Sequence, residues 1–296
     1  MAIYKGAGVA IVTPMNEDFS INLEKLDELI EFQISERTDA LIICGTTGEA
    51  PTLSEEKHLD LIAFAVERVK GRIPVIAGTG SNSTLTAINL TKGAEERGAD
   101  AALVVTPYYN KATQAGLISH FTAIANSVKI PQILYDVPGR TGIGIAPKTM
   151  AHLTKNVSNI VGIKESTGDI VNVAEVMYYC DGNIDMYSGN DNQIVPLLSL
   201  GGIGTISVLS NIAPRFVHDM VMKYLEGDVG TAGKMQVDAI PICNALFCEV
   251  NPIPVKSALN IMGKDVGPPR PPLTVMEPQN LEVLKKAMKD MGLFNH

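Results

Sequence analysis

The sequence predicts a (β/α)8 barrel with a C-terminal helical extension, and three observations predict it. Eight short runs rich in β-formers recur along the chain. Longer stretches with helical periodicity and charged faces separate them. The runs themselves are almost continuously apolar, as befits parallel strands buried on both faces. An open doubly wound sheet would normally carry a GxGxxG turn after an early strand, whereas the first run here ends in "TPMNEDFS". A chain of 296 residues suits one such barrel with an addition.

In chain order the strand candidates are "GVAIVTP" (8–14), "ALIICG" (40–45), "PVIAGTG" (74–80), "AALVVTPYY" (101–109), "PQILYDVP" (131–138), "IVGIKEST" (160–167), "DMYSGN" (185–190) and "GTISVLS" (204–210). Between the earlier ones, "INLEKLDELIEFQIS", "SEEKHLDLIAFAVERVK", "STLTAINLTKGAEERG" and "GLISHFTAIANSV" place apolar residues three and four apart, as crossover helices do. From about residue 211 the rhythm becomes helical without strands, broken by "NPIPV" (251–255) and "GPPRPP" (267–272). We therefore divide the chain into a barrel core, 1–210, and a closing helix with C-terminal helical extension, 211–296, within one structural unit. The proline cluster reads as a stiff connector between helices rather than as a ligand for a proline-binding module.

Composition narrows the function. A net charge of −8 leaves no basic face for phosphates, so nucleic acid is not an expected partner. The apolar N-terminal stretch stops at Pro14, short of the ~20 residues a membrane span needs, and no small-residue cleavage site follows; the reading is a soluble cytoplasmic protein. Cys44, Cys180, Cys243 and Cys248 form no CxxC pair and read as buried free thiols. His58, His120, His152, His218 and His296 are equally dispersed, with no HExxH, so no metal is expected.

In such barrels the site is built where the strands end. Those ends carry Thr46 and Thr47, Tyr108 and Tyr109, residues 135–141, residues 164–167 and residues 188–191, most of them hydroxyl-bearing or charged. The glycine cluster "GGIG" (201–204) precedes its strand and so lies on the wrong face to grip a phosphate. Within "IVGIKEST", alternation sets Lys164 on the face opposite Ile163 and Glu165. With Ile163 against the helices, Lys164 points into the barrel, where desolvation favours the neutral amine and hence a nucleophile for carbonyl carbon. The competing reading is an ion pair, for which Glu165 faces the wrong way. Tyr135 closes the neighbouring strand and is a candidate proton shuttle, given hydroxyl partners. Arg140, on a glycine-containing loop, suits bidentate carboxylate recognition, with a surface salt bridge as the alternative. Taken alone, the glycines of "GTTG" need mean no more than a tight turn, and Tyr108 and Tyr109 no more than a packing pair.

Five motifs, "GTTGE", "TPYYN", "YDVPGRTG", "GIKEST" and "NPIPVK", together resemble the dihydrodipicolinate synthase branch of the pyruvate-dependent class I aldolases, the family that includes N-acetylneuraminate lyase. The likeness runs over essentially the whole chain, in the same order and at comparable spacing. It implies a (β/α)8 barrel that condenses pyruvate with L-aspartate 4-semialdehyde, without metal or organic cofactor. Position by position it implies that Lys164 is the Schiff-base lysine and Tyr135 the proton donor and acceptor. Thr47 matches the threonine that binds the pyruvate carboxylate and links Tyr135 to a second tyrosine, with Thr46 beside it. Tyr109 matches that second tyrosine, inserted from a neighbouring subunit. Arg140 matches the receiver of the semialdehyde carboxylate, and Gly189 and Ile206 line the pyruvate pocket through the main chain. Sugar-acid aldolases of the same family resemble the chain in the lysine and tyrosine motifs but usually lack the paired threonines together with "VPGRTG". A homotetramer, a dimer of dimers, is implied as well. Members inhibited by lysine carry a serine, histidines and a glutamate at an interface site where this chain has Ala50, Glu55 and Thr86, although His58, Asn82 and Tyr108 match. Inhibition by lysine is therefore expected to be weak or absent.

Overall fold

Eight parallel strands pair in sequential order and close on themselves, β8 against β1. They are β1 (Gly6–Ala10), β2 (Ala40–Ile43), β3 (Val75–Gly78), β4 (Ala101–Val105), β5 (Gln132–Asp136), β6 (Ile160–Glu165), β7 (Asp185–Ser188) and β8 (Gly204–Ser207). The structure is a computed structural model that describes residues 2–294, so His296 lies outside the described residues. Each strand begins close to where its apolar run does but stops two to four residues before the run ends. The remainder of each run leaves the ladder to form the loops of the C-terminal face.

Alternation along the strands explains why apolar residues run without a break. On β2, Ala40 and Ile42 belong to the cluster filling the barrel, whereas Leu41 and Ile43 belong to the layer between strands and helices. Ile42 and Ile43 are each 0% exposed, so both faces of the strand are dry. Burying one such side chain is worth about 1.5–3 kcal/mol.

The crossover helices begin on the residues that the sequence offers as caps. α1 (Leu23–Ser35), α2 (Glu55–Val69), α3 (Thr84–Glu96) and α4 (Gln114–Ala125) follow Asn22, Ser54, Ser83 and Thr113, each of which accepts a hydrogen bond from a backbone N–H in the first turn. Such a cap contributes about 1 kcal/mol. The short α5 (Pro138–Thr141) sits in the loop after β5, and α6 (Pro147–Asn156), α7 (Ile170–Tyr179) and α8 (Ile194–Ser199) complete the crossovers.

Beyond β8 come α9 (Pro214–Leu225), α10 (Val229–Asp238), α11 (Ile240–Leu246), α12 (Ile253–Ile261) and α13 (Pro278–Asp290). Leu246, Val255, Leu259, Leu284 and Met288 share one apolar cluster with residues of α1, α2 and the outer face of β1. The proline-rich 267–272 segment runs between α12 and α13 and is held to the barrel by Arg270, whose guanidinium donates to the carbonyls of Thr52 and Phe19 at 2.7 and 2.6 Å. Among the described residues no helix is long and apolar enough to cross a membrane. Cys44, Cys180 and Cys243 are buried, but Cys248 is exposed, because it falls in the turn after α11 rather than on a packed face.

Candidate active site

The centre of the site follows from strand register. Tyr135 of β5 pairs with Lys164 of β6, which in turn pairs with Tyr187 of β7, so the three share one level of the sheet. Tyr135 and Tyr187 both belong to the cluster inside the barrel, and paired residues of parallel strands point the same way. Lys164 is 5% exposed, and its Nζ lies 4.3 Å from the centroid of the Tyr135 ring. Among the described residues no carboxylate comes within 4.0 Å of that nitrogen. Glu165 turns outward, where its carboxylate accepts from the Thr167 N–H at 2.8 Å. The ion-pair reading of Lys164 therefore fails for the reason alternation anticipates.

Outside the barrel, behind this pair, Asp136 and Glu165 are register partners and both are buried. Burial pushes the Asp136 carboxyl up to about 7, with the Glu165 charge adding to the rise. On the other flank Asp191 is buried, and burial raises its pKa while hydrogen bonds and the nearby Lys164 charge oppose the shift. Its Oδ2 accepts from the Val208 and Leu209 N–H groups at 3.0 and 2.9 Å, which ties the loop after β7 to the loop after β8.

Gly189 lies beside the lysine, and Ile206 belongs to the same barrel interior. A Cβ on Gly189 would stand 2.9 Å from Lys164 Cε, so any side chain there would displace the amine. Ile206 is 0% exposed in the interior cluster.

A cavity of about 400 Å³ opens above the barrel and is bounded by Thr46, Tyr108, Tyr135, Val137 and Arg140. Thr47 is not part of that lining: it is 3% exposed, and its hydroxyl accepts from Asn251 Nδ2 at 3.0 Å. The two threonines thus face different neighbours, and it is Thr46 that shares the cavity with Tyr135 and Tyr108. The sequence cannot separate them, because the turn geometry between Gly45 and Gly48 decides which hydroxyl points where.

Tyr108 and Tyr109 are not a packing pair. Tyr108 lines the cavity, while Tyr109 is 90% exposed with φ at +72°. A bulky residue in the left-handed region is uncommon. Arg140, on α5, donates from Nη2 to the Asn251 carbonyl at 3.0 Å. Among the described residues it has no carboxylate within 4.0 Å, so its charge is available to a ligand and the salt-bridge alternative falls.

Two features escape the sequence reading. Asn251, in the "NPIPVK" segment, touches both Thr47 and Arg140. Five residues on, Lys256 is 0% exposed and donates to Glu49 Oε1 at 2.8 Å and to the carbonyls of Thr13 and Pro268 at 3.1 and 2.7 Å. The Glu49 Oε2 accepts from the Arg270 N–H at 2.7 Å. The acid closing "GTTGE" and the lysine closing "NPIPVK" therefore bolt the turn after β2 to α12. A glutamate and a lysine in otherwise apolar or glycine-rich motifs are the signal that could have paired them.

Ala50, Glu55, His58 and Thr86 line the outer part of the same cavity. His58 is buried with Nε2 2.6 Å from the Gly78 carbonyl, and burial lowers its pKa.

With this geometry in hand, the relatives are informative. The model of the dihydrodipicolinate synthetase family matches residues 4–291. A 4-hydroxy-tetrahydrodipicolinate synthase of Lachnoclostridium phytofermentans is 59% identical over 99% of this chain and 100% of its own. Another, from Caldicellulosiruptor bescii, is 53% identical over 99% of both chains. Among solved structures, the dihydrodipicolinate synthase of Thermotoga maritima superposes with a TM-score of 0.97 at 39% identity, covering 99% of this chain and 100% of that one. The chloride-inhibited enzyme of Acinetobacter baumannii, complexed with pyruvate, gives 0.95 at 45% identity, covering 98% and 99%.

Proposed function

Since the chain belongs to the dihydrodipicolinate synthetase family, we propose that Lys164 is the amine through which it works. The reaction is the condensation of pyruvate with L-aspartate 4-semialdehyde to 4-hydroxy-tetrahydrodipicolinate, the step that commits carbon to diaminopimelate and lysine. Lys164 attacks C2 of pyruvate, and loss of water, with Tyr135 moving the protons, leaves an iminium. The iminium withdraws electrons from C3, which gives up a proton to form an enamine. That carbon attacks the aldehyde. The amine of the second substrate then displaces the lysine nitrogen and closes the ring.

The observation that carries the assignment is a buried lysine with no carboxylate partner, seated against a phenol at the C-terminal ends of β5 and β6. Such an amine is not held in an ion pair and is free to reach a carbonyl carbon. Thr46 and Thr47 hold the pyruvate carboxylate and relay protons from Tyr135, with Gly189 and Ile206 shaping the pocket. Arg140, free of any acidic partner, receives the carboxylate of the semialdehyde. Tyr109 completes the relay in a neighbouring subunit; its 90% exposure supports that role. The working assembly is a cytoplasmic homotetramer, a dimer of dimers. Sedimentation should find no active monomer.

Borohydride reduction in the presence of pyruvate tests the central claim. It should leave the peptide containing Lys164 heavier by the reduced adduct, and an unlabelled peptide would sink the assignment. A coupled assay should favour L-aspartate 4-semialdehyde over sugar aldehydes.

A further inference from the structure

Asn251 stands where the helical extension reaches the active face. It precedes α12 in the chain, is 5% exposed, and makes two contacts that join the turn after β2 to the loop after β5. Its side-chain Nδ2 donates to Thr47 Oγ1 at 3.0 Å, in the turn after β2. Its main-chain carbonyl accepts from Arg140 Nη2 at 3.0 Å, in the loop after β5. Two residues on, the segment is anchored through the buried Ile253 of α12 and, further on, the buried Lys256–Glu49 pair at 2.8 Å.

The direction of the first hydrogen bond matters. A threonine hydroxyl has one proton to give and two lone pairs with which to accept. Here a lone pair is taken by the Asn251 amide, and among the described residues the Thr47 hydroxyl has no acceptor for its own proton. That proton is left for a ligand. The other atom of the amide, Asn251 Oδ1, is buried with no partner. Rotating the amide would present Oδ1 to Thr47, and the threonine would then spend its proton on the protein.

We propose that Asn251 is a positioning residue that fixes the Thr47 hydroxyl as a donor toward the carboxylate of the keto acid, while its carbonyl holds Arg140 ready for the carboxylate of the aldehyde. This rests on the reading of Thr47 and Arg140 given above. It makes the extension part of substrate recognition, in that one residue from outside the barrel aligns the groups for both anionic substrates.

The test uses the full chain, and starts with borohydride trapping of pyruvate on the parent, whose failure would remove the reading beneath this proposal rather than the proposal alone. Asn251→Asp keeps the size of the side chain but replaces the donor with acceptors, so it should raise KM for pyruvate by at least about tenfold, the worth of a hydrogen bond to a charged group. Asn251→Ala, which leaves Thr47 free to turn, should raise it less. In both, kcat should fall by a smaller factor than KM rises, because the reacting amine is untouched. A merely structural role would instead lower Tm and the active fraction with KM unmoved. Should Asn251→Ala fold poorly, the Asp variant still decides. In a Thr47→Val background the Asn251→Asp change should add less than about twofold if it acts through that hydroxyl. A pyruvate KM in Asn251→Asp within twofold of the parent, or the same rise in KM with and without the Thr47 hydroxyl, would overturn the proposal.

Discussion

Lys164 and Lys256 are both removed from water, and the molecule treats them in opposite ways. Lys256 has a carboxylate at 2.8 Å and two carbonyls, so all three of its protons have acceptors. Burial pushes its pKa down and the Glu49 charge pulls it back up. Lys164 has a phenol ring 4.3 Å away and, among the described residues, no carboxylate within 4.0 Å. A buried cation with every proton satisfied is a fastener; a buried amine held in no close ion pair is a reagent held ready. The difference is made by alternation on β6, which sends Glu165 outward, and by the turn after β2, which sends Glu49 toward α12.

The sharpest way to break this contrast is to exchange the two fates. Lys164→Ala should reduce turnover by at least about a thousandfold, as loss of a covalent nucleophile does, while thermal unfolding stays at or above that of the parent. A variant that kept a tenth of the activity would end the distinction. Lys256→Met should behave in reverse. It strands Glu49 in a dry site, which costs about 3–5 kcal/mol, and the urea midpoint should fall accordingly. Whatever fraction remains folded should still trap pyruvate. Removing both charges, as in Lys256→Met with Glu49→Leu, should recover much of the lost stability, because a buried pair and an apolar replacement of similar volume are often close in free energy.

The contrast also shows what the sequence could and could not reveal. Period-two alternation in "IVGIKEST" is enough to place Lys164 inside and Glu165 outside, and the eight apolar runs are enough to close the barrel. Both depend only on neighbours within a strand. Asn251 and Lys256 were illegible because their partners, Thr47 and Glu49, lie about two hundred residues away, and no local period links them. The separate facings of Thr46 and Thr47 were illegible for a different reason. Cys44 and Glu49 flank that turn with φ at +55° and +58°, and dihedrals of that kind are set by packing rather than by the residues themselves. The family resemblance gave roles to Thr47 and Arg140 but none to Asn251, which touches both.

Asp136 allows a finer test, since it is a buried acid with, among the described residues, no cation within 4.0 Å. Its carboxyl is held near 7, above the ~3.9 of an unfolded aspartate, so the folded chain binds a proton that the unfolded chain releases. Stability from this group is accordingly greatest in acid, and falls as pH rises from about 4 to about 7, by at most about 1.4 kcal/mol per pH unit. Asp136→Asn removes the titration. Thermal unfolding at pH 5 and pH 8 should show the variant gaining on the parent as pH rises; equal differences at the two pH values would refute the assignment. The Glu165 carboxyl, raised chiefly by burial, faces Asp136 across the register and shares in the effect, so the parent's slope should be shallower once either acid is neutralised.

The smallest effect is expected where the cavity widens away from Lys164. Free lysine offers an ammonium and a carboxylate at one end and a second ammonium at the other, and the inhibited pattern implied by the resemblance meets it with hydroxyl, imidazole and carboxylate groups. Here Ala50 supplies no hydroxyl, Thr86 no carboxylate, and Glu55 an anion in place of an imidazole, although all three line the cavity with His58 and Tyr108. His58 is already engaged with the Gly78 carbonyl at 2.6 Å and is kept neutral by burial, so it cannot substitute as a cationic partner for the carboxylate. Saturating lysine should therefore change turnover by less than about twofold, the scale of a single weak surface contact. Strong inhibition would mean that Glu55 itself binds the ammonium, and Glu55→Gln should then abolish it.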